Sequence, residues 1–343
     1  MVSRRHRARG VCRKTHSDMK TYTAEALAQL FEAHLSQMRM PDDPEQLYAP
    51  IRYALGEGGK RMRPTLLLLS YSLFDDDFEA ALHAASAIEI FHNFTLLHDD
   101  IMDNAAMRRG RPSVYAKWGG NVAILSGDAM IINAYAHLQL VPAGQLPRVM
   151  QAFNTMAAQV CEGQQYDMDF EQRAKVSVVD YMHMIELKTS ALLAGATTIG
   201  AMLAGASDAD TKHLYRFAIE LGLAFQLQDD LLDSYGDERL GKKIGGDILE
   251  GKQTFLMVTA MSNGSAEQRE VLRTTARRSD LTDEQKIAAV RAVYDALDVP
   301  RLAEQQINLR FSRASAMLDA LSVPTERVEP LRAYAAGLIG RKK

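Results

Sequence analysis

Six aspartates in two matching clusters carry the chemistry this sequence can do. His98-Asp99-Asp100-Ile101-Met102-Asp103 and Gln228-Asp229-Asp230-Leu231-Leu232-Asp233 both read Asp-Asp-x-x-Asp and lie 130 positions apart. Each sits in an apolar-periodic run, so each is expected inside a helix, where residues i and i+4 share a face. Asp99 and Asp103 then point one way, as do Asp229 and Asp233, with Asp100 and Asp230 about 100° round the axis. Like charges one turn apart repel unless cations sit between them. Mg2+ takes one or two carboxylates and completes its shell with water and phosphate oxygens. Two such helices facing each other would clamp a diphosphate. The flanks argue against a solvated surface: Phe94, Leu97 and Ile101 surround the first cluster and Phe225, Leu227 and Leu231 the second. Carboxylates embedded in apolar helix must face a polar cavity, a metal or a partner.

Basic and glycine-rich stretches accompany the acidic ones. In Gly58-Gly59-Lys60-Arg61-Met62-Arg63-Pro64, glycines permit close backbone approach, and Lys60 with Arg63 gives a point charge and a planar fork suited to phosphate. Pro64 suits the first turn of a helix. Arg108-Arg109-Gly110-Arg111-Pro112 follows the first cluster; a bridging polyanion or local salt bridges would both explain it. Lys188-Thr189 opens a long uncharged run, and Gly241-Lys242-Lys243 and Gly251-Lys252-Gln253-Thr254 follow the second cluster. Gly127 and Gly163, among polar neighbours, read as helix interruptions that line a cavity or permit close packing.

From residue 21 the pattern is helical nearly everywhere, with breaks at 40–50, 56–64, 141–147 and 262–266 and no sustained two-residue alternation. Residues 80–103 read as one helix carrying the first cluster at its end. The expected fold is all-α: one domain over residues 19–343, ten or more helices around a deep central cavity, preceded by a basic tail over 1–18. The chain has 343 residues, 47% of them hydrophobic and 24% charged, with net charge −3; that is enough apolar content for a sizeable core and gives no footprint for nucleic acid. Two cysteines, Cys12 and Cys161, make no disulfide framework and suit a reducing, cytoplasmic setting. Residues 189–207 carry no charge, but their Ala, Gly and Thr suit a buried helix with close neighbours rather than a transmembrane segment.

The paired Asp-Asp-x-x-Asp clusters, with Gly-Gly-Lys-x-x-Arg-Pro at 58–64, resemble the trans-isoprenyl diphosphate synthases over roughly residues 20–343. The resemblance implies three Mg2+ ions on an allylic diphosphate, with Asp99, Asp103 and Asp229 as direct ligands and Asp100 and Asp233 in support. It implies Arg108, Lys188, Thr189, Gln226, Lys242 and Lys252 around the allylic diphosphate, and Lys60, Arg63, His92 and Arg109 around isopentenyl diphosphate. His92 stands where many relatives have Gln. Asp99, Asp103, Asp229, Lys188 and Arg108 are the expected catalytic set, and a homodimer is expected. Phe94, Thr95 and Phe91, below Asp99, would limit product length, favouring a geranylgeranyl (C20) over a farnesyl (C15) product. A terpene cyclase usually replaces the second Asp-Asp-x-x-Asp with an Asn/Ser/Glu motif, and a non-catalytic subunit usually loses acidic residues; both fit less well. The C-terminal Arg341-Lys342-Lys343 would either fold over the isopentenyl site or fray.

Overall fold

The protein is seen in a computed structural model that describes residues 20–56, 58–173, 175–236 and 244–340. The basic tail, Lys242 and Arg341-Lys342-Lys343 lie outside the described residues.

Sixteen α-helices account for nearly all the regular structure among those residues. They are α1 (Ala24–Gln37), α2 (Glu45–Gly56), α3 (Met62–Ser72), α4 (Glu79–Met102), α5 (Val114–Trp118), α6 (Gly120–Leu138), α7 (Leu146–Gln172) and α8 (Val178–Ile185). Then come α9 (Ala191–Leu203), α10 (Asp208–Tyr235), α11 (Gly246–Glu250), α12 (Phe255–Asn263), α13 (Ala266–Thr274), α14 (Asp283–Ala296), α15 (Val299–Asp319) and α16 (Thr325–Ile339). The expected all-α bundle is what forms, and the long helix expected over 80–103 is α4.

The uncharged run sits at the centre. Twelve residues of α9 are buried, and the helix contacts α3, α4, α7 and α10. Its small residues make that approach possible: a Cβ on Gly200 would lie 2.2 Å from the Leu67 carbonyl oxygen, and one on Gly195 2.5 Å from Met156 Sδ. Ser70 Oγ of α3 donates to the Thr197 carbonyl at 2.8 Å. Among the described residues no helix is long and apolar enough to cross a membrane.

Three expectations change. Helices α6 and α7 run unbroken through Gly127 and Gly163; glycine costs a helix interior about 1 kcal/mol, and close packing against neighbours compensates. The 40–50 break ends sooner, since α2 includes Pro50. A two-residue ribbon also forms, β1 (Met107–Arg108) pairing antiparallel with β2 (Arg111–Pro112); strands this short leave no alternation to read.

Candidate active site

The first acidic cluster closes α4. Asp99 and Asp100 occupy its last turn and Asp103 caps it, the Asp103 amide donating to the Asp99 carbonyl at 2.9 Å. Asp100 is buried. Its Oδ1 accepts from Arg108 Nε at 2.8 Å and from Nη2 at 2.6 Å, and the same Nη2 lies 3.2 Å from Asp99 Oδ2. Burial raises the pKa of Asp100 and Asp103. Arg108 is partly buried, which alone would lower its pKa, yet Asp100 and Asp99 raise it overall. The ribbon turns at Arg109-Gly110, with φ of 52° and 76°. That turn carries Arg109 Nη1 to the Gly58 carbonyl at 2.7 Å. Tyr53 holds the ribbon from α2, its hydroxyl donating to the Pro112 carbonyl at 2.8 Å and its ring lying under Arg111.

The glycine loop between α2 and α3 therefore touches the arginine ribbon. Arg63 Nη1 lies 2.9 Å from His92 Nε2. Burial, with Arg109 nearby, lowers Arg63 to about 10, while burial and the surrounding arginines hold His92 well below its usual range. The imidazole is neutral, so Nε2 accepts from the guanidinium and Nδ1 carries the proton. Lys60 is exposed at the loop's rim. Sequence reasoning missed Arg61, which is 6% exposed at φ 41°. Its guanidinium donates to Glu32 Oε1 at 2.6 Å, Glu89 Oε1 at 2.7 Å and the Leu55 carbonyl at 2.8 Å. One side chain thus pins the loop to α1, α2 and α4.

The other half of the site hangs on a wide turn. Glu186–Ser190, between α8 and α9, is π-helical, a geometry that concentrates at functional sites. It places Lys188 Nζ 2.5 Å from Asp167 Oδ2 and 3.7 Å from Asp99 Oδ1; burial alone would lower its pKa, but Asp167 and Asp99 raise it. Two glycines socket the turn. A Cβ on Gly163 of α7 would lie 2.2 Å from the Lys188 nitrogen, and one on Gly222 of α10 2.6 Å from Ser190 Cα. Thr189 Oγ1 donates to Gln226 Oε1 at 2.9 Å, and Gln226 Nε2 donates to Asp230 Oδ1 at 3.0 Å.

Asp229 and Asp233 stand one turn apart near the end of α10, partly exposed, whereas Asp230 is buried. Asp233 Oδ2 accepts from the Asp247 amide at 3.0 Å. Burial, with Asp233 and Asp230 close by, pushes the Asp247 carboxyl up to about 7. Lys252, beyond α11, has Nζ 2.9 Å from Glu250 Oε2 and 3.9 Å from Asp103 Oδ2.

Two links join the halves. Lys188 reaches Asp99 while its neighbour Thr189 bonds α10, and Lys252 reaches from the α10 side to Asp103. Cations also suit this donor set. Asp99 Oδ1 is buried and accepts no hydrogen bond, which leaves a hard anionic oxygen to ligate. Among the described residues no three acidic or histidine groups converge tightly enough to enclose an ion. Phosphate oxygens or water would complete the shell, as Mg2+ prefers.

Below Asp99, aromatic rings fill α4's flank. Phe94 lies edge-on to His98 at 4.6 Å and against Phe91 at 5.6 Å; Phe91 meets Phe153 at 5.4 Å, and Phe153 meets Tyr135 at 5.3 Å. A cavity of about 290 Å³ between α4, α6 and α7 is lined by Phe91, Ile131, Tyr135, Phe153, Ala157 and Cys161. Phe91, rather than Phe94, borders it. Thr95 Oγ1 turns inward to donate to the His92 carbonyl at 2.8 Å.

Comparison with known proteins identifies the family and the fold. Residues 44–295 match the polyprenyl synthetase family. A geranylgeranyl diphosphate synthase of Methanosarcina mazei is 41% identical over 237 residues, 68% of this chain and 73% of that protein. The crystal structure of a geranylgeranyl pyrophosphate synthase superposes with a TM-score of 0.89 at 38% identity, covering 94% of this chain and all of that one. A geranylgeranyl pyrophosphate synthase from Corynebacterium glutamicum, complexed with isoprenyl diphosphate and magnesium, superposes at 0.81 with 29% identity over 93% of this chain and 97% of its own. The chain belongs to the polyprenyl synthetase family and is a prenyltransferase.

Proposed function

We propose that the protein is a Mg2+-dependent, short-chain, all-trans prenyl diphosphate synthase. It condenses isopentenyl diphosphate head-to-tail with dimethylallyl, geranyl and farnesyl diphosphates to make geranylgeranyl diphosphate. The observation that supports this best is that Lys188 and Lys252 reach Asp99 and Asp103 at 3.7 and 3.9 Å while Thr189, next to Lys188, bonds Gln226 of α10 at 2.9 Å, so the two acidic helices share one cluster of charged and polar groups. Arg108, Lys188, Thr189, Gln226 and Lys252 hold the allylic diphosphate, and Lys60, Arg63, His92 and Arg109 hold isopentenyl diphosphate. Asp99, Asp103 and Asp229 are the ligands assigned to three Mg2+ ions, with Asp100 and Asp233 in support. When bound, Mg2+ supplies positive charge that neutralises the departing diphosphate.

Lys188, Lys252 and Arg108 add fixed positive charge where the leaving group's charge develops, so the allylic C–O bond breaks with its electron pair going to diphosphate. The isopentenyl double bond, positioned by Arg63 and Arg109, supplies the electrons for the new C–C bond. A proton then leaves the carbon next to the new cationic centre, restores a double bond and passes to the released diphosphate. Phe91, Phe94 and Phe153 keep water from the cation.

The face of α6 that carries Ile124, Leu125 and Ile132, exposed by 45%, 59% and 69%, supports a homodimer, because exposed apolar surface of this kind marks association sites. The proposed setting is the cytoplasm. Purified protein incubated with Mg2+, labelled isopentenyl diphosphate and each allylic primer tests the reading. A C20 diphosphate by chromatography supports it. A C15 end product, or one longer than C20, overturns the chain length, and cyclic hydrocarbon or no turnover overturns the synthase reading.

A further inference from the structure

The middle aspartate of the second cluster has an environment unlike that of its neighbours. Asp230 is 3% exposed, and donors from three helices converge on it. Tyr181 of α8 donates its hydroxyl to Oδ2, the Phe255 amide at the first residue of α12 donates to Oδ2 at 3.0 Å, and Gln226 Nε2 donates to Oδ1 at 3.0 Å. An ionised carboxylate only accepts hydrogen bonds. The Gln226 amide must therefore turn its nitrogen to Asp230 and its oxygen to Thr189, whose hydroxyl donates to it at 2.9 Å. The same carboxylate fixes where α12 starts, three residues after Lys252, whose ammonium leans toward Asp103. Thr189, Gln226 and Lys252 are all groups assigned above to the allylic diphosphate: Gln226 bonds this buried carboxylate directly, Thr189 bonds Gln226, and Lys252 lies three residues before the Phe255 amide that the carboxylate holds.

We propose that Asp230 is a positioning residue for the allylic-diphosphate half of the site and not a metal ligand: with Tyr181 it fixes the orientation of Gln226 and Thr189 and the start of α12 behind Lys252. The isopentenyl half, built on Arg63, His92 and Arg109, shares none of these contacts. The proposal rests on the assignment of Thr189, Gln226 and Lys252 to the allylic substrate.

The test uses Asp230→Ala and the milder Tyr181→Phe, which removes one of the three donors and keeps the ring. KM is measured for geranyl and for isopentenyl diphosphate at saturating Mg2+, alongside the Mg2+ concentration for half-maximal rate and the melting temperature. Asp230→Ala should raise the allylic KM at least thirtyfold and Tyr181→Phe three- to tenfold, with the isopentenyl KM within twofold of wild type for both. For Tyr181→Phe the half-saturating Mg2+ should stay within twofold. A tenfold rise in the Mg2+ requirement of Asp230→Ala with the allylic KM unchanged at saturating metal would make Asp230 a ligand. Equal rises in both KM values, or a lower melting temperature with neither KM changed, would reduce it to a fold-stabilising residue. Either result overturns the proposal. Wild-type protein that fails to elongate geranyl diphosphate in the same assay would instead remove the functional reading beneath it.

Discussion

Adding a single methyl group at Gly163 should disable this enzyme. A Cβ there would sit 2.2 Å from the Lys188 nitrogen, 2.6 Å from its Cα and 2.8 Å from the Leu187 carbonyl carbon. All three are backbone atoms of a helical turn, so no flexible side chain can move aside. Reaching ordinary contact at 3.4 Å requires α7 and the π-helical turn to part by about 1.2 Å. Overpacking of this kind costs ~1–3 kcal/mol, and a ~1 Å misplacement of a positioning group can cost about a hundredfold in rate. Lys188 would lose its simultaneous reach to Asp167 and Asp99, now 2.5 and 3.7 Å. Gly163→Ala should therefore melt several degrees below wild type and condense at roughly one-hundredth of its kcat. Gly337→Ala on α16, where an added Cβ meets nothing within 4 Å, is the control and should match wild type or melt slightly higher. Wild-type kcat and melting temperature for Gly163→Ala would refute the socketed-turn reasoning. A lower melting temperature with unchanged kcat would show that the turn recoils without moving Lys188.

Phe91→Ala should lengthen the product, since Phe91 borders the cavity below the site; Phe94→Ala should lengthen it too if Phe94 shares the floor, and chain length by chromatography tells the two apart. Arg61→Met leaves Glu89 buried without its charged partner, with Asn93 Nδ2 still donating to it at 3.2 Å, which should cost ~3 kcal/mol or more. The loosened 58–63 loop should then raise the isopentenyl KM more than the allylic one, read from melting curves and initial rates. Stability should also fall in mild acid. His34, His83 and His137 stack ring to ring at 5.3 and 6.1 Å; burial and the neighbouring His83 lower His34 and take His137 down to about 4. A depressed histidine leaves stability intact above its unfolded value of 6.5 and withdraws it as pH falls toward 4, by ~2 kcal/mol here after allowing for solvent screening. Melting temperature followed from pH 7 to pH 5 should drop in wild type and drop less in His137→Leu, where His34 and His92 still withdraw stability.

Features written in local spacing were legible in the sequence. The i,i+4 aspartates, the long α4, the small-residue α9 and the basic glycine loop each depend on neighbours within a few turns, and each forms as expected. What escaped depends on partners remote in the chain. The π-helical turn at Glu186–Ser190 has no signature of its own, because glycines on two other helices make room for it. The same glycine on α7 reads as a helix break until Lys188 is seen against it. Arg61 looks like one more basic residue of the loop until Glu32 and Glu89 close on it from 29 and 28 positions away. Asp230 likewise has partners 49 and 25 positions away, so nothing in its own cluster distinguishes it from Asp229.

Three carboxylates within five helical residues repel one another, and the two clusters relieve that strain in parallel ways. In each, the middle aspartate is buried and accepts from protein donors, while the i,i+4 pair beside it stays partly or fully exposed. The donors differ in charge. Asp100 accepts from the Arg108 guanidinium, which also reaches Asp99, so one positive charge is built into the first cluster. Asp230 accepts from a phenol, a backbone amide and a carboxamide, all neutral. Lys188 and Lys252 lean toward Asp99 and Asp103 as well. On the second side burial, with Asp233 and Asp230 close by, raises the Asp247 carboxyl to about 7, so it sheds part of its charge beside Asp233. Among the described residues, Arg108, Lys188 and Lys252 thus set three positive charges against the first cluster. A tri-anionic leaving group would meet those fixed cations beside the aspartates assigned to the Mg2+ ions that travel with it, so protein and metal charge would act on the same departing oxygens.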